Sequence, residues 1–161
     1  MIDLCIKEMN SENSREFGFF IENNNNNLLY KDNSFSYFSN LFINKFTEAV
    51  GFSIVQSYKE SDGIVPLLEY HSNTVEVLIP TEDVVLVLAN SLENNKNKPD
   101  IFSAKALLLR KGCAFVIDYN IWHYAPITNE DSVNTFVIFN HNTSDIDTTK
   151  VKLDSSIKVK F

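Results

Sequence analysis

The segment that decides the fold spans residues 67–80 and reads LLEYHSNTVEVLIP. Its two ends are β-rich apolar runs, and residues 72–74 between them, SNT, have turn chemistry. Glu69 and His71 are two residues apart and share one face of an extended strand. Glu76 is an odd number of residues beyond His71, so a turn is needed to bring it back on a neighbouring strand. The segment therefore predicts three convergent side chains that can ligate a metal.

Short β-rich runs of the same kind recur along the chain after residue 50 and are separated by turn sequences such as Lys111-Gly112. The predicted strands are 52–58, 64–71, 75–80, 83–89, 101–109, 113–118 and 133–140. One possible helix, residues 39–50, has a mixed apolar pattern. Strands at this spacing, with little helix, predict an all-β sandwich or barrel.

The chain has 161 residues, the length of one ordinary domain, and its composition does not change abruptly. We therefore expect a single domain over residues 1–161, with an N-terminal extension at 1–50 and the barrel at about 51–153. Within the extension, the run of five asparagines at 23–27 is expected to be a loop, because it has no apolar side chain to bury.

The net charge is -7, from 21 acidic and 14 basic residues, and Arg15 and Arg110 are the two arginines. A phosphate-reading surface is not expected in such a chain, and neither is nucleic acid as a partner. The apolar run at 84–89 is too short to span a bilayer, and the first residues lack the basic and apolar regions of a signal peptide. A cytoplasmic protein without membrane contact is expected, with Cys5 and Cys113 reduced.

A second segment, residues 112–126, reads GCAFVIDYNIWHYAP. Together with residues 69–76 it resembles the two motifs of the cupins, which are His, one residue, His, three or four residues, Glu, and then Gly, five residues, Pro, four residues, His. The resemblance implies a double-stranded β-helix, or jelly-roll barrel, that holds a divalent ion. The matching positions in this chain are Glu69, His71 and Glu76 in the first motif, and Gly112, Asp118 and His123 in the second.

From about residue 17 to residue 145 the chain also resembles the ureidoglycolate lyase family. The similar features are Glu69-Tyr70-His71, Ile79-Pro80, the strand at 84–89, residues 98–101 (KPDI), and Trp122-His123 with Pro126. This resemblance implies cleavage of ureidoglycolate to glyoxylate and urea, at the end of purine breakdown.

Several positions depart from that family. Glu76 stands for its usual Gln, Ile117-Asp118 for Tyr-His, and Tyr124 for a second His after Trp. Residues 16–109 contain no Arg, so a bidentate partner for a substrate carboxylate is missing. Lys59 is the substitute expected from the sequence, acting as a point charge.

The predicted metal ligands are Glu69, His71, Glu76 and His123, a donor set that suits Ni, Mn, Fe, Zn or Co. The competing interpretation is a pair of hydrogen-bonded core histidines with two solvated carboxylates. The predicted catalytic residues are Asp118 as base, with Tyr119 and Tyr124 as proton donors. Trp122 is expected at the pocket wall, and His141 in an exposed loop.

Three functions stay open at this point. The first is a lyase acting on a small α-hydroxy acid, the second another metal-dependent cupin enzyme such as an oxygenase or isomerase, and the third a non-catalytic binding module. Exposed strand edges in small barrels also predict a homodimer.

Overall fold

A computed structural model describes residues 1–22, 25–59 and 63–161 of the chain. The described strands are β1 (Ile2–Glu8), β2 (Gly18–Ile21), β3 (Leu28–Lys31), β4 (Ser36–Phe38), β5 (Val50–Tyr58), β6 (Ile64–Tyr70), β7 (Glu76–Pro80), β8 (Val84–Ala89), β9 (Ser91–Leu92), β10 (Asn95–Pro99), β11 (Lys105–Leu109), β12 (Ala114–Ile117), β13 (Trp122–His123), β14 (Ser132–Asn140) and β15 (Thr149–Lys160). Two helices of one turn each, α1 (Ser11–Ser14) and α2 (Thr143–Ile146), and a 3-10 turn at Asn25–Asn27 complete the described elements.

Six strands form a closed barrel in the order β1, β11, β8, β13, β6, β15. Strand β1 closes the ring, because it pairs in parallel with β15 on one side and with β11 on the other. Five further strands form a second sheet in the order β2, β12, β7, β14, β5. The predicted fold class, an all-β barrel with little helix, is confirmed.

Alternation along β8 shows how the two sheets share the core. Its even-numbered residues, such as Leu86 and Leu88, pack in a cluster with Phe115 and Leu78 of the second sheet. Its odd-numbered residues pack instead with Trp122 inside the closed barrel. Every residue of β8 is buried for this reason, and a strand covered on both faces reads as a continuous apolar run.

Three parts of the sequence interpretation need correction. Residues 39–49, all of them described, form no helix, and β5 begins at Val50; Asn40 adopts a positive φ of 56°, which breaks a helical path. Residues 101–104 form a turn before β11. The N-terminal segment is not a separate extension, because β1 is a barrel strand, and β15 carries the barrel to residue 160. Part of the asparagine loop (23 and 24) and of the turn near Gly63 (61 and 62) lies outside the described residues.

Arg110 connects one end of the antiparallel pair β8 and β11 to β1. Its guanidinium donates to Glu8 at 3.2 Å and to Asp83 at 2.7 Å, and the backbone N–H of Lys111 also donates to Asp83. The hydrogen bond from Lys111 and the nearby guanidinium lower the pKa of Asp83 below its usual value. Ionised Asp83 therefore stabilises the folded state relative to the unfolded chain.

Strand β5 is one of the two outer strands of the second sheet and pairs with β14 over nine residues without a bulge. It contains no charged residue, and its outward side chains include Phe52 and Ile54, which are 76% and 57% exposed. The homodimer stays a prediction, and β5 is an exposed strand edge of the kind on which that prediction rests.

Both cysteines are free. In the described chain, no helix has the length and apolar content needed to cross a membrane.

Candidate metal centre

Strand register places three polar side chains next to one another on the barrel wall. Glu69 of β6 lies opposite His123 of β13 and, on its other side, opposite Lys150 of β15. Directly paired residues of antiparallel strands project to the same face. Leu68 and Tyr70 project to the other face, into the barrel interior, so Glu69 and His71 project toward the second sheet.

Glu76 reaches the same place from the opposite sheet. The segment after β6 crosses between the sheets, so that β7 pairs with β12 and β14 and not with the strand that carries Glu69. The turn expected at residues 72–74 is therefore present, but it joins the two sheets rather than two neighbouring strands. Asp147 holds this turn, accepting from the backbone N–H groups of Ser72 at 3.1 Å and Asn73 at 2.8 Å.

The four predicted ligands converge where the two sheets face each other. Oε2 of Glu76 lies 2.9 Å from Nε2 of His71 and 3.3 Å from Nε2 of His123. Oε1 of Glu69 lies 3.9 Å from Nε2 of His123. One ligand atom from each of Glu69, His71 and His123 falls within 4.8 Å of the others, which is close enough for a single ion.

Both imidazoles have their second nitrogen fixed by the backbone. Nδ1 of His71 lies 2.9 Å from the carbonyl oxygen of Asp147, and Nδ1 of His123 lies 2.9 Å from that of Ile121. A carbonyl can only accept, so each Nδ1 carries a proton and each neutral ring presents its Nε2 lone pair to the centre. Histidines that ligate a metal are commonly held in this way, with the second ring nitrogen hydrogen-bonded to a backbone carbonyl.

That arrangement leaves acceptors facing acceptors. Nε2 of His123 is fully buried and has no hydrogen-bond partner, although Oε2 of Glu76 is close to it. While the rings are neutral, two imidazole lone pairs directed at one carboxylate oxygen repel it, and either a metal cation between them or protonation of the rings relieves this repulsion. The residues present therefore fit a divalent ion held by two imidazoles and carboxylate oxygens.

The charges of these groups are strongly coupled. Burial raises the pKa of Glu76, but when His123 and His71 are protonated their positive charge and the hydrogen bonds that they then donate outweigh this effect and lower the pKa to about 2. Burial lowers the pKa of His123, and the negative charge of Glu76 more than offsets that effect, so the net shift is upward. Glu76 is therefore a carboxylate at neutral pH, as a metal ligand must be.

A cavity of about 210 Å³ opens beside these side chains. It lies between β5 and β14 of the second sheet and the start of β15. Hydroxyl, carboxylate and ammonium groups share its wall with apolar side chains, so it suits a small polar ligand. The lining residues are Ser53, Val55, Glu69, His71, Glu76, Val137, Phe139, Ser144, Thr148 and Lys150.

The structure does not bring the predicted catalytic residues into this cavity. Asp118 is exposed at the end of β12, where its carboxylate accepts from the backbone N–H of Tyr119. The Asp118–Asn120 turn packs behind His71, because the N–H of Asn120 donates to the carbonyl oxygen of that residue. Tyr119 lines a different cavity, beside Ser91. The roles of Asp118 and Tyr119 have no support from this geometry.

The remaining predicted site residues also lie elsewhere. Trp122 precedes His123 on β13 and so projects to the opposite face, where it packs edge-on against Tyr70 inside the barrel. Tyr124 packs against the same cluster. Lys59 is exposed, and its backbone pairs with that of Thr128 in an isolated β-bridge away from the cavity. His141 is exposed, as predicted.

Two residues that the sequence did not identify take part in the site. Nζ of Lys150 lies 3.2 Å from Oε2 of Glu69, and Asp147 fixes both His71 and the turn that follows it. Both belong to the segment after β14, where no strand was predicted. The alternation of Val151, Leu153 and their polar neighbours is the signal of β15 that could have located them.

The fold and site together define an all-β barrel protein with a buried histidine–carboxylate cluster between its sheets. Residues 41–158 match the model of a family described as a domain of unknown function, DUF4867, and the chain belongs to that family. The match spans β5 to β15 and includes every residue of the cluster. A comparison with curated proteins gives no match.

Among solved structures, the chain is similar to oxalate decarboxylases. A formate complex of the Lactobacillus farciminis enzyme is 15% identical with a TM-score of 0.44, over 66% of this chain and 27% of that one. A variant of the Bacillus subtilis enzyme is 16% identical with a TM-score of 0.43, over 66% of this chain and 24% of that one. The chain thus spans about a quarter of the length of these enzymes.

Proposed function

We propose that the protein is a metal-dependent enzyme that cleaves a small α-hydroxy acid, with ureidoglycolate as the specific candidate substrate. The observation that carries the proposal is the convergence of two backbone-anchored imidazoles on Glu76, with Nε2 of His123 buried and unbonded. Such a cluster is costly unless it holds a cation. The sequence resemblance to ureidoglycolate lyases supplies the candidate reaction.

The ligands in this proposal are Glu69, His71, Glu76 and His123. A divalent ion bound there would act as a Lewis acid and make the substrate hydroxyl more acidic. The ion is one of Ni, Mn, Fe, Zn or Co, the set expected for imidazole and carboxylate donors.

Glu69 replaces Asp118 as the proposed base. The side chain of Glu69 is 24% exposed at the cavity, whereas Glu76 is deeply buried between the imidazoles. In the proposed reaction Oε2 of Glu69, the oxygen that faces Lys150 and not His123, takes the hydroxyl proton. The C–N bond breaks as the hydroxyl carbon becomes the aldehyde of glyoxylate, and the proton passes to the leaving urea nitrogen. The reaction is an elimination and needs neither oxidant nor water.

The direct test is incubation of the metal-loaded protein with ureidoglycolate, with glyoxylate and urea measured against the spontaneous rate. Formation of both products in equal amounts, faster than the spontaneous rate and abolished in His123→Ala, would support the proposal. A rate equal to the spontaneous one would refute ureidoglycolate as substrate. Oxygen uptake with other small acids would then favour an oxygenase, and binding without turnover a binding module.

A further inference from the structure

Lys150 is the one lysine or arginine among the described residues that line the cavity. It lies at the start of β15, directly opposite Glu69 in the strand register. Its Nζ atom is 3.2 Å from Oε2 of Glu69, while Oε1 of the same carboxylate faces His123. One glutamate thus joins the histidine cluster to an ammonium group at the cavity wall.

We propose that Lys150 anchors the carboxylate of a small carboxylic acid that binds in this cavity. The inference rests on the proposed function, because it names the group of the substrate that the same site recognises. Lys150 replaces Lys59, which lies away from the cavity, as the counter-charge for a substrate carboxylate. Lys150 also supplies a positive charge for a substrate carboxylate in a chain that has no arginine between residues 16 and 109.

The charges of the cavity support this assignment. Without an ion, two carboxylates and one ammonium leave the site with a net negative charge, which repels an acid. A bound dication reverses the balance to one net positive charge, which a single carboxylate neutralises. With one net positive charge, the site favours an acid of charge -1 over one of charge -2, and the acid binds once the metal is in place.

The position of Lys150 suits a group that moves between two partners. Its side chain is 63% exposed, so it is held by the Glu69 contact and not by packing. An ion that draws Glu69 toward the histidines weakens that contact, and the ammonium is then available to a carboxylate in the cavity. The hydroxyls of Ser53, Ser144 and Thr148 line the same space and can donate to the remaining oxygens.

The test uses the full chain loaded with Mn or Zn, and glycolate as the probe, with its neutral amide, glycolamide, as the matched comparison. Dissociation constants are measured by calorimetry for wild type, Lys150→Met and Lys150→Arg. Lys152→Met is the control, since Lys152 lies on the same strand but outside this cavity. Bound metal is measured in every sample.

We expect Lys150→Met to weaken glycolate binding by about tenfold, the effect of one hydrogen bond to a charged group, and to leave glycolamide binding unchanged. Lys150→Arg and Lys152→Met should stay close to wild type, and all variants should keep their metal. Equal glycolate affinity in wild type and Lys150→Met would overturn the inference, as would an equal loss for glycolate and glycolamide. So would loss of metal in Lys150→Met, because the lysine would then act through Glu69.

The same measurements give a different set of results if the proposed function is wrong. A wild-type protein that takes up no metal refutes the proposed metal centre. Glycolate binding to that metal-free protein, lost in Lys150→Met, would support the carboxylate role of Lys150 and refute the requirement for an ion that the charge balance predicts, whereas no glycolate binding would overturn the inference. Wild type that binds metal but not glycolate overturns the inference and leaves the metal centre intact.

Discussion

Substitution of His123 by alanine tests the metal centre most directly. Nε2 of His123 is buried, lies 3.3 Å from Glu76 and 3.9 Å from Glu69, and has no hydrogen-bond partner among the described residues. Alanine removes one of two imidazoles, so the remaining ligands are one imidazole and two carboxylates. We expect metal affinity to fall by at least about 100-fold, the upper end of the loss seen when only the outer partner of a ligand is removed.

The size of the thermal effect follows from mass action. At a metal concentration of about 100 times the wild-type dissociation constant, the ion stabilises the folded wild type by about 2.7 kcal/mol. With affinity reduced about 100-fold, the same concentration contributes about 0.4 kcal/mol. For a domain of this length, the metal-induced rise in Tm should fall from about 5–10 °C to about 1 °C.

The assay is the difference in Tm with metal and with chelator, together with the metal content of the desalted protein. Taking the difference within each variant removes any change in the stability of the metal-free protein. His71→Ala should behave like His123→Ala. His141→Ala is the control and should keep both metal and Tm shift, because His141 is exposed outside the cavity. A Tm shift in His123→Ala equal to that of wild type would refute the assignment of ligands.

Three further outcomes are expected. Asp147→Asn should weaken metal binding about 10-fold, because the carboxylate that accepts from the turn beside His71 is lost. The affinity is measured by competition with a chromogenic chelator, and an unchanged value would show that the turn keeps its conformation without Asp147. Gly18→Ala should destabilise folding by at least about 2 kcal/mol in urea, since a Cβ would lie 1.9 Å from a strand carbonyl oxygen; a wild-type midpoint would contradict this. The pKa of Asp83 is lowered in the folded state, so its contribution is present above about pH 4 and is lost as the pH falls through the lower folded value. The stability difference between wild type and Asp83→Asn should therefore shrink below about pH 4, and a difference that grows there would refute the lowered pKa.

The positions of β5 to β8, β12 and β14 could be predicted from the sequence because β-strand periodicity and turn chemistry are local, whereas the barrel strands β1, β13 and β15 were not predicted. Strand β8 is an apolar run that is buried on both faces, and the predicted span 83–89 agrees with the observed Val84–Ala89. The proposed ligands could be named because Glu69 and His71 share a strand face and His123 follows a glycine turn at a recognisable spacing. These features depend on short stretches of chain and are visible without the rest of the molecule.

The tertiary structure decided which other groups reach the site. Asp118 and Trp122 are close to His123 in sequence, yet strand alternation and a turn direct them away from the cavity. Lys150 is far from Glu69 in sequence, yet the register of β15 against β6 places the two side by side. Proximity along the chain fixes only which face of one strand a side chain occupies, whereas the pairing of distant strands fixes which faces meet. For that reason the sequence by itself determined the fold class and the candidate ligands, and only the folded chain determined their neighbours.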